Sequence, residues 1–289
     1  MIPVYQRFYS WDIDQCKRLW NDIVEMQRKD KVGHFVGSIV NIAEQAMPTS
    51  VQKYMIIDGQ QRMTTLTLLL LALRDYAIKN PGDTTINSRR IDNMLLKNEY
   101  EVGDERYKLL LTETDRDILI SLVEEKPIAE GIRSRLIENY KFFGGKLADK
   151  EIQPAEVYES IGKLQIVNIT LDRTVDDAQA IFESLNSTGK ELSESDLIRN
   201  YVLMGLEPSE QTYVYEHLWR PMEQLFVYET QGTVMNAFFR HYLTMKISHI
   251  PKQGQVYEEF KLHHLNCEFN GQDRDMDVIF ATDCICLKL

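Results

Sequence analysis

The chain of 289 residues is 44% hydrophobic and 27% charged. That is enough apolar sequence for one large core or two modest ones, and it excludes a disordered or collagen-type chain. Acidic side chains outnumber basic ones, 44 to 33, for a formal charge of -11, which excludes a protein that grips phosphate backbones over its whole surface. The most apolar run, 66–73, is far shorter than the roughly 20 residues of a membrane span. The opening residues carry no secretory pattern and the four cysteines form no disulfide framework, so a cytoplasmic protein without membrane contact is expected.

The first residues, Ile2-Pro3-Val4-Tyr5-Gln6-Arg7-Phe8-Tyr9-Ser10-Trp11, begin extended because a residue before proline is pushed out of the helical region. A helix follows, capped by Asp12 or Asp14, with Cys16, Leu19, Trp20, Ile23, Val24 and Met26 at amphipathic spacing. Residues 34–40 and 53–58 are short β-branched or aromatic runs bounded by turn formers and read as strands of one sheet. From Arg62 to Lys79 the sequence is apolar nearly all round, which predicts a helix buried against that sheet and stopped by Asn80-Pro81-Gly82.

Residues 83–105 are polar and form a surface excursion. Beyond them the patterns predict a strand over 106–112, helices over 115–125 and 132–146, a strand over 163–171 and a helix over 176–185. A turn at Asn186-Ser187-Thr188-Gly189-Lys190 leads to a helix opened by Ser193 with Asp196 at capping-box spacing and closed at Gly205. After Pro208 only helical periodicity is convincing, over 210–228 and 233–246, and about the last 20 residues have no clear period. The fold class is therefore α+β, with an α+β domain over 1–205 and a helical region over 206–289.

Three constellations carry chemistry. In Asp58-Gly59-Gln60-Gln61-Arg62 a strand end, a permissive glycine and a helix N-terminus meet, with Thr64 and Thr65 in the first turn. Free N–H groups, the helix dipole and the Arg62 fork make this an anion site; the competing reading is a structural turn with Asp58 as a cap and Arg62 in an ion pair. Glu183, Asn186, two hydroxyls and Gly189 gather before the Ser193 helix and suit Mg²⁺ or phosphate, or else form a C-cap. Tyr5, Gln6 and Arg7 offer an aromatic face and a cation to a nucleotide, or else belong to the core. The histidines and cysteines lack metal-ligand spacing.

In order and wording these three segments, with Met63-Thr64-Thr65-Leu66 after the first motif and Phe182-Glu183-Ser184-Leu185-Asn186-Ser187-Thr188-Gly189-Lys190-Glu191-Leu192-Ser193 as the last, resemble the front domain of GmrSD-type modification-dependent restriction and phage-defence proteins. The resemblance covers 2–205, and more loosely the helical stretch to about residue 260. It implies a ParB/sulfiredoxin-like α+β fold, a bound nucleoside triphosphate with Mg²⁺, and hydrolysis coupled to recognition of modified DNA. It further implies phosphate contacts from Gly59, Gln60, Gln61, Arg62, Thr64 and Thr65, supported by Tyr5, Gln6, Arg7, Asn186 and Gly189. Asp58 and Glu183 would then be the catalytic carboxylates, with Glu183 and Asn186 as Mg²⁺ ligands.

Two departures from the family pattern stand out: Met1 abuts the Ile-Pro motif, where relatives carry a preceding segment, and no His-Asn-His constellation follows residue 206. The expectation is an NTP-hydrolysing subunit that relies on a separate nuclease subunit or domain, either alone or as a homodimer. The alternatives are a non-hydrolysing nucleotide switch or DNA-binding module of ParB type, and a ParB-like nuclease.

Overall fold

The structure, a computed structural model, describes residues 1–44, 46–83, 85–129, 131–172, 175–186, 192–206, 208–225 and 231–269. It is α+β. Two compact units divide it: Met1–Pro3 with Arg7–Asp176, and Val4–Gln6 with Asp177–Leu289.

The first unit opens with α1 (Ile13–Arg28), whose N-cap is Asp12. The Asp12 carboxylate accepts from the Asp14 N–H at 2.9 Å, and the Gln15 side chain accepts from the Asp12 N–H at 2.8 Å, which occupies donors that would otherwise be orphaned. Cys16, Trp20, Ile23, Val24 and Met26 form its buried stripe, as their spacing predicts. Strands β1 (His34–Ala43) and β2 (Tyr54–Asp58) pair antiparallel, and β3 (Leu164–Leu171) joins β1 parallel, so the order is β2-β1-β3. The long connection from β2 to β3 carries α2 (Gln60–Lys79), the short α3 (Ser88–Ile91), α4 (Glu113–Val123), α5 (Arg135–Asp149) and α6 (Pro154–Gly162).

Helix α2 buries Leu68, Leu69, Leu71, Ala72 and Leu73, but its main neighbour is α5, which supplies Leu136, Phe143 and Leu147 to the same core. A three-stranded sheet is too narrow to cover a helix that is apolar on every side, so other helices complete the burial. Arg74, 1% exposed, donates from Nη1 to the Val123 carbonyl at 2.6 Å and from Nη2 to that of Leu122 at 2.9 Å. Its charge is balanced by Asp75 and Asp92, which ties α2 to the end of α4.

The strand expected over 106–112 does not form. Gly103–Arg106 is a 3-10 turn and Tyr107 makes only an isolated bridge to Lys97. Leu109 and Leu111 are buried with the alternation of a strand, yet their segment finds single partners, such as the Ile2 N–H that donates to the Leu110 carbonyl at 2.9 Å. Alternation reports burial of one face, and a ladder needs a neighbour as well. Helix α6, missed in the sequence, has Pro154 in its first turn and a Gln153–Glu156 capping box, the signature that could have revealed it.

The described part of the second unit holds α7 (Ala178–Asn186), α8 (Glu194–Met204), α9 (Pro208–Val214), α10 (Arg220–Glu223), α11 (Gln231–Ile247) and α12 (Val256–Phe269). Ser193 caps α8 in the expected box with Asp196. The core joins Tyr5, Ile198, Leu203, Phe239, Leu243 and Phe260, and Trp219 stacks on Phe239 at 5.6 Å between ring centroids. Arg199 is buried among the Tyr5 carbonyl, Glu223 and Asp196, each 2.7 Å away. Among the described residues no helix is long and apolar enough to cross a membrane.

Candidate functional site

Strand β2 ends at Asp58, and Gly59 is the N-cap of α2 at φ 94° and ψ 5°, the left-handed region. A Cβ on Gly59 would stand 3.0 Å from the Ser38 carbonyl oxygen and 3.0 Å from Ile39 Cγ1. The turn is thus pressed against β1, and only glycine supplies both the dihedral and the clearance. The first intrahelical bond runs from the Met63 N–H to the Gly59 carbonyl at 3.0 Å. No side chain caps α2, and among the described residues the N–H groups of Gln60, Gln61 and Arg62 find no acceptor. Three convergent donors and the positive end of a 20-residue helix carry about half an elementary charge without a partner.

The side chains of this turn face different ways. Gln61 is buried, and its Oε1 accepts from the N–H of Ser10 at 2.8 Å and of Trp11 at 3.2 Å, while Nε2 donates to the Phe8 carbonyl at 3.2 Å. Thr65, one helical turn on, is fully buried; its hydroxyl meets Tyr9 Oη at 2.6 Å and donates to the Gln61 carbonyl at 2.8 Å. From the α5 side, Asn139 Nδ2 donates to Tyr9 Oη and to the Trp11 carbonyl, both at 2.9 Å, and Arg135 bonds the Ser10 carbonyl. Segment 8–11 is therefore clamped between α2 and α5 by backbone-directed hydrogen bonds. Burial dominates the environment of Tyr9 and raises its phenol well above the ordinary range.

Arg62 lies on the outer side of the turn. Its guanidinium bonds the Ser38 carbonyl through Nη1, and Nη2 is 3.6 Å from Asp58 Oδ2. Both partners of this ion pair keep about a quarter of their side-chain surface exposed, 26% for Arg62 and 24% for Asp58. Gly37, at φ 113°, makes room for the guanidinium: a Cβ there would lie 2.6 Å from Arg62 Nη1. Gln60 and Thr64 are buried.

Asp58, Gly59, Gln60, Gln61, Arg62, Thr64, Thr65 and Arg7 belong to the first unit, and Tyr5, Gln6 and Glu183 to the second. Tyr5 is 1% exposed and packs in the second core; Gln6 is buried. Gly189, and the side chain of Asn186, lie outside the described residues. Glu183 is engaged on both oxygens. Oε1 accepts from Tyr257 Oη and from Gln179 Nε2 at 2.8 Å, and Oε2 is 2.9 Å from the Lys261 ammonium. Burial opposes its ionisation, but these donors outweigh burial and hold the carboxyl below its ordinary range. With three of about four lone-pair directions taken and an ammonium alongside, this carboxylate as arranged is a poor fit to Mg²⁺; Asp58, whose Oδ1 carries no bond among the described residues, fits better.

One feature escaped the sequence entirely. A cavity of about 440 Å³ opens on the sheet face beside α2, with Ile39, Asn41, Ile56, Met63, Tyr107 and Asn168 in its lining. Two asparagines inside otherwise β-branched strands were the available signal, because asparagine is depleted in strands.

The family model described as GmrSD restriction endonuclease, N-terminal domain, matches residues 1–203. No curated protein matches the chain.

Proposed function

Since the chain belongs to the family of GmrSD restriction endonuclease N-terminal domains, we propose that it serves a restriction or phage-defence system by binding and hydrolysing a nucleoside triphosphate at the start of α2. The observation that carries this reading is the left-handed Gly59 turn, which leaves the N–H groups of Gln60, Gln61 and Arg62 unpaired at the head of a long helix. Such a site takes phosphate by charge and geometry together. In this reading the N–H groups hold the phosphate oxygens and the exposed edge of the Arg62 guanidinium neutralises them. The Gln61 amide contributes indirectly, by fixing segment 8–11.

Asp58, next to the turn, is the carboxylate suited to Mg²⁺ or to the attacking water. Mg²⁺, when bound, would neutralise charge on the phosphates. The first unit is on this reading a ParB/sulfiredoxin-like domain, and the energy of the nucleotide serves recognition of modified DNA, with cleavage left to a nuclease subunit or domain.

Calorimetric titration with ATP, GTP, CTP and UTP in Mg²⁺ tests the reading. At least one should bind, and Arg62→Ala should weaken it more than tenfold, since loss of a charge-assisted phosphate contact costs about 1.5–3 kcal/mol. Arg62→Lys, which keeps the charge and loses the fork, should recover part of the loss. Binding unchanged in a folded Arg62→Ala protein would remove the site. Steady phosphate release under turnover separates hydrolysis from a switch that only binds.

A further inference from the structure

We propose that the cavity beside α2 is the subsite for the base of that nucleotide, with the Asn41–Asn168 pair reading its polar edge; this rests on the phosphate reading above. Successive strand residues alternate between faces, and the register sets Ile39 beside Asn168 and Asn41 beside Ile56. These four line one cavity, which Asn98, Asp104 and Glu105 of the polar excursion border together with Tyr107. Its volume of about 440 Å³ falls within the roughly 300–1,000 Å³ of small-molecule sites.

The lining has the chemistry of a base pocket. Ile39, Ile56, Met63 and Tyr107 supply apolar and aromatic surface for a flat ring. Asn41, 4% exposed, donates from Nδ2 to Asn168 Oδ1 at 2.6 Å and accepts at Oδ1 from Thr170 Oγ1 at 3.1 Å. The Asn168 oxygen is thereby committed, and its Nδ2 has no acceptor among the described residues. An amide donor over apolar walls suits the ring-nitrogen and carbonyl acceptors of a base. The charged groups on the lining are of both signs, Met1, Lys53 and Lys108 against Asp104 and Glu105, and Lys53 pairs with Glu105 at 2.9 Å.

Position joins this cavity to the phosphate turn. Ile39 is a side chain against which Gly59 packs, and the Met63 N–H donates to the Gly59 carbonyl to close the first turn of α2. Both also line the cavity. A ligand with its base among the asparagines and its phosphates on the first-turn N–H groups would pass alongside that turn, whose pitch is about 5.4 Å.

The test compares ATP, GTP, CTP and UTP with inorganic tripolyphosphate and with free adenosine, guanosine, cytidine and uridine. It uses wild-type protein, Asn168→Asp and Asn168→Leu. Asn168→Asp keeps the acceptor for Asn41 and removes the outward donor, so its folding is protected. The expected result is at least a tenfold loss of affinity for the preferred NTP in both variants, with tripolyphosphate affinity unchanged and the matching nucleoside bound by wild type alone. Wild-type NTP affinity and base preference in folded Asn168→Asp would overturn the inference. NTPs bound no better than tripolyphosphate would also overturn it while leaving the phosphate reading intact. Nucleoside binding lost in Asn168→Asp, with no tripolyphosphate binding, would uphold the cavity and sink the phosphate reading.

Discussion

Replacing Gly59 with alanine interrogates the turn that the functional reading depends on. At φ 94° the alanine backbone is left-handed, and its Cβ lies 3.0 Å from the Ser38 carbonyl oxygen and 3.2 Å from Ile39 Cα. Both are backbone atoms that cannot rotate away, so β1 or the turn must shift. The dihedral penalty alone is about 1–2 kcal/mol, and the total for such a strained position is about 1–3 kcal/mol. For a protein of this size each kcal/mol lowers Tm by about 2–4 °C, which predicts a fall of about 2–12 °C by circular dichroism. Gly82→Ala is the control, because a Cβ there meets nothing within 4 Å and its φ is not left-handed; its Tm should stay level or rise slightly. NTP affinity should fall in Gly59→Ala, since the same shift misaligns the N–H groups. Wild-type Tm and affinity in Gly59→Ala would refute both the strain and the role of the turn.

Gln61→Leu removes the acceptor of the Ser10 and Trp11 N–H groups and the donor to Phe8. It should lower stability by about 1–3 kcal/mol in urea denaturation and speed hydrogen exchange at those two amides, whereas Gln61→Glu keeps their acceptor and should protect the two amides, although its carboxylate faces the Phe8 carbonyl and restores less stability; unchanged exchange in Gln61→Leu would show that the clamp is idle. Glu183 has its carboxyl held below the ordinary 4.5, so its bonds to Tyr257, Gln179 and Lys261 stabilise the fold at neutral pH. That contribution is lost as pH falls below the ordinary value and through the lowered one. The gap in urea midpoint between wild type and Glu183→Gln should therefore shrink from pH 7 to pH 3, and a gap independent of pH would contradict it.

Local signals were legible in the sequence. Asp12 with its helix, the Ser193–Asp196 box and all three strands stood out because each depends on residues a few positions apart. So did the sequence Asp58-Gly59 as a strand end and turn, though not its capping: the helix has no side-chain cap, and Asp58 faces Arg62 instead. Gln61 was opaque for the opposite reason. Its partners lie about fifty positions upstream, and no periodicity within α2 says that its first turn faces an irregular segment. The cavity is harder still, since it draws on three strands, a helix and the excursion, and only the register of β1 against β2 and β3 brings its asparagine and isoleucine side chains to one face.

The first turn of α2 carries two duties because helix geometry separates them. Side chains leave a helix radially and its unpaired N–H groups point along the axis, so Gln61 and Thr65 can grip segment 8–11 while the N–H groups of Gln60, Gln61 and Arg62 have no acceptor among the described residues. A string of polar residues at a helix start therefore need not present its side chains to a ligand. Gln61 measures this directly: if its amide only steadies the segment, Gln61→Glu should hold the Ser10 and Trp11 N–H groups and preserve most of the NTP affinity. A side chain that touched phosphate would do the reverse, because a carboxylate in its place would repel the ligand and cost more affinity than leucine.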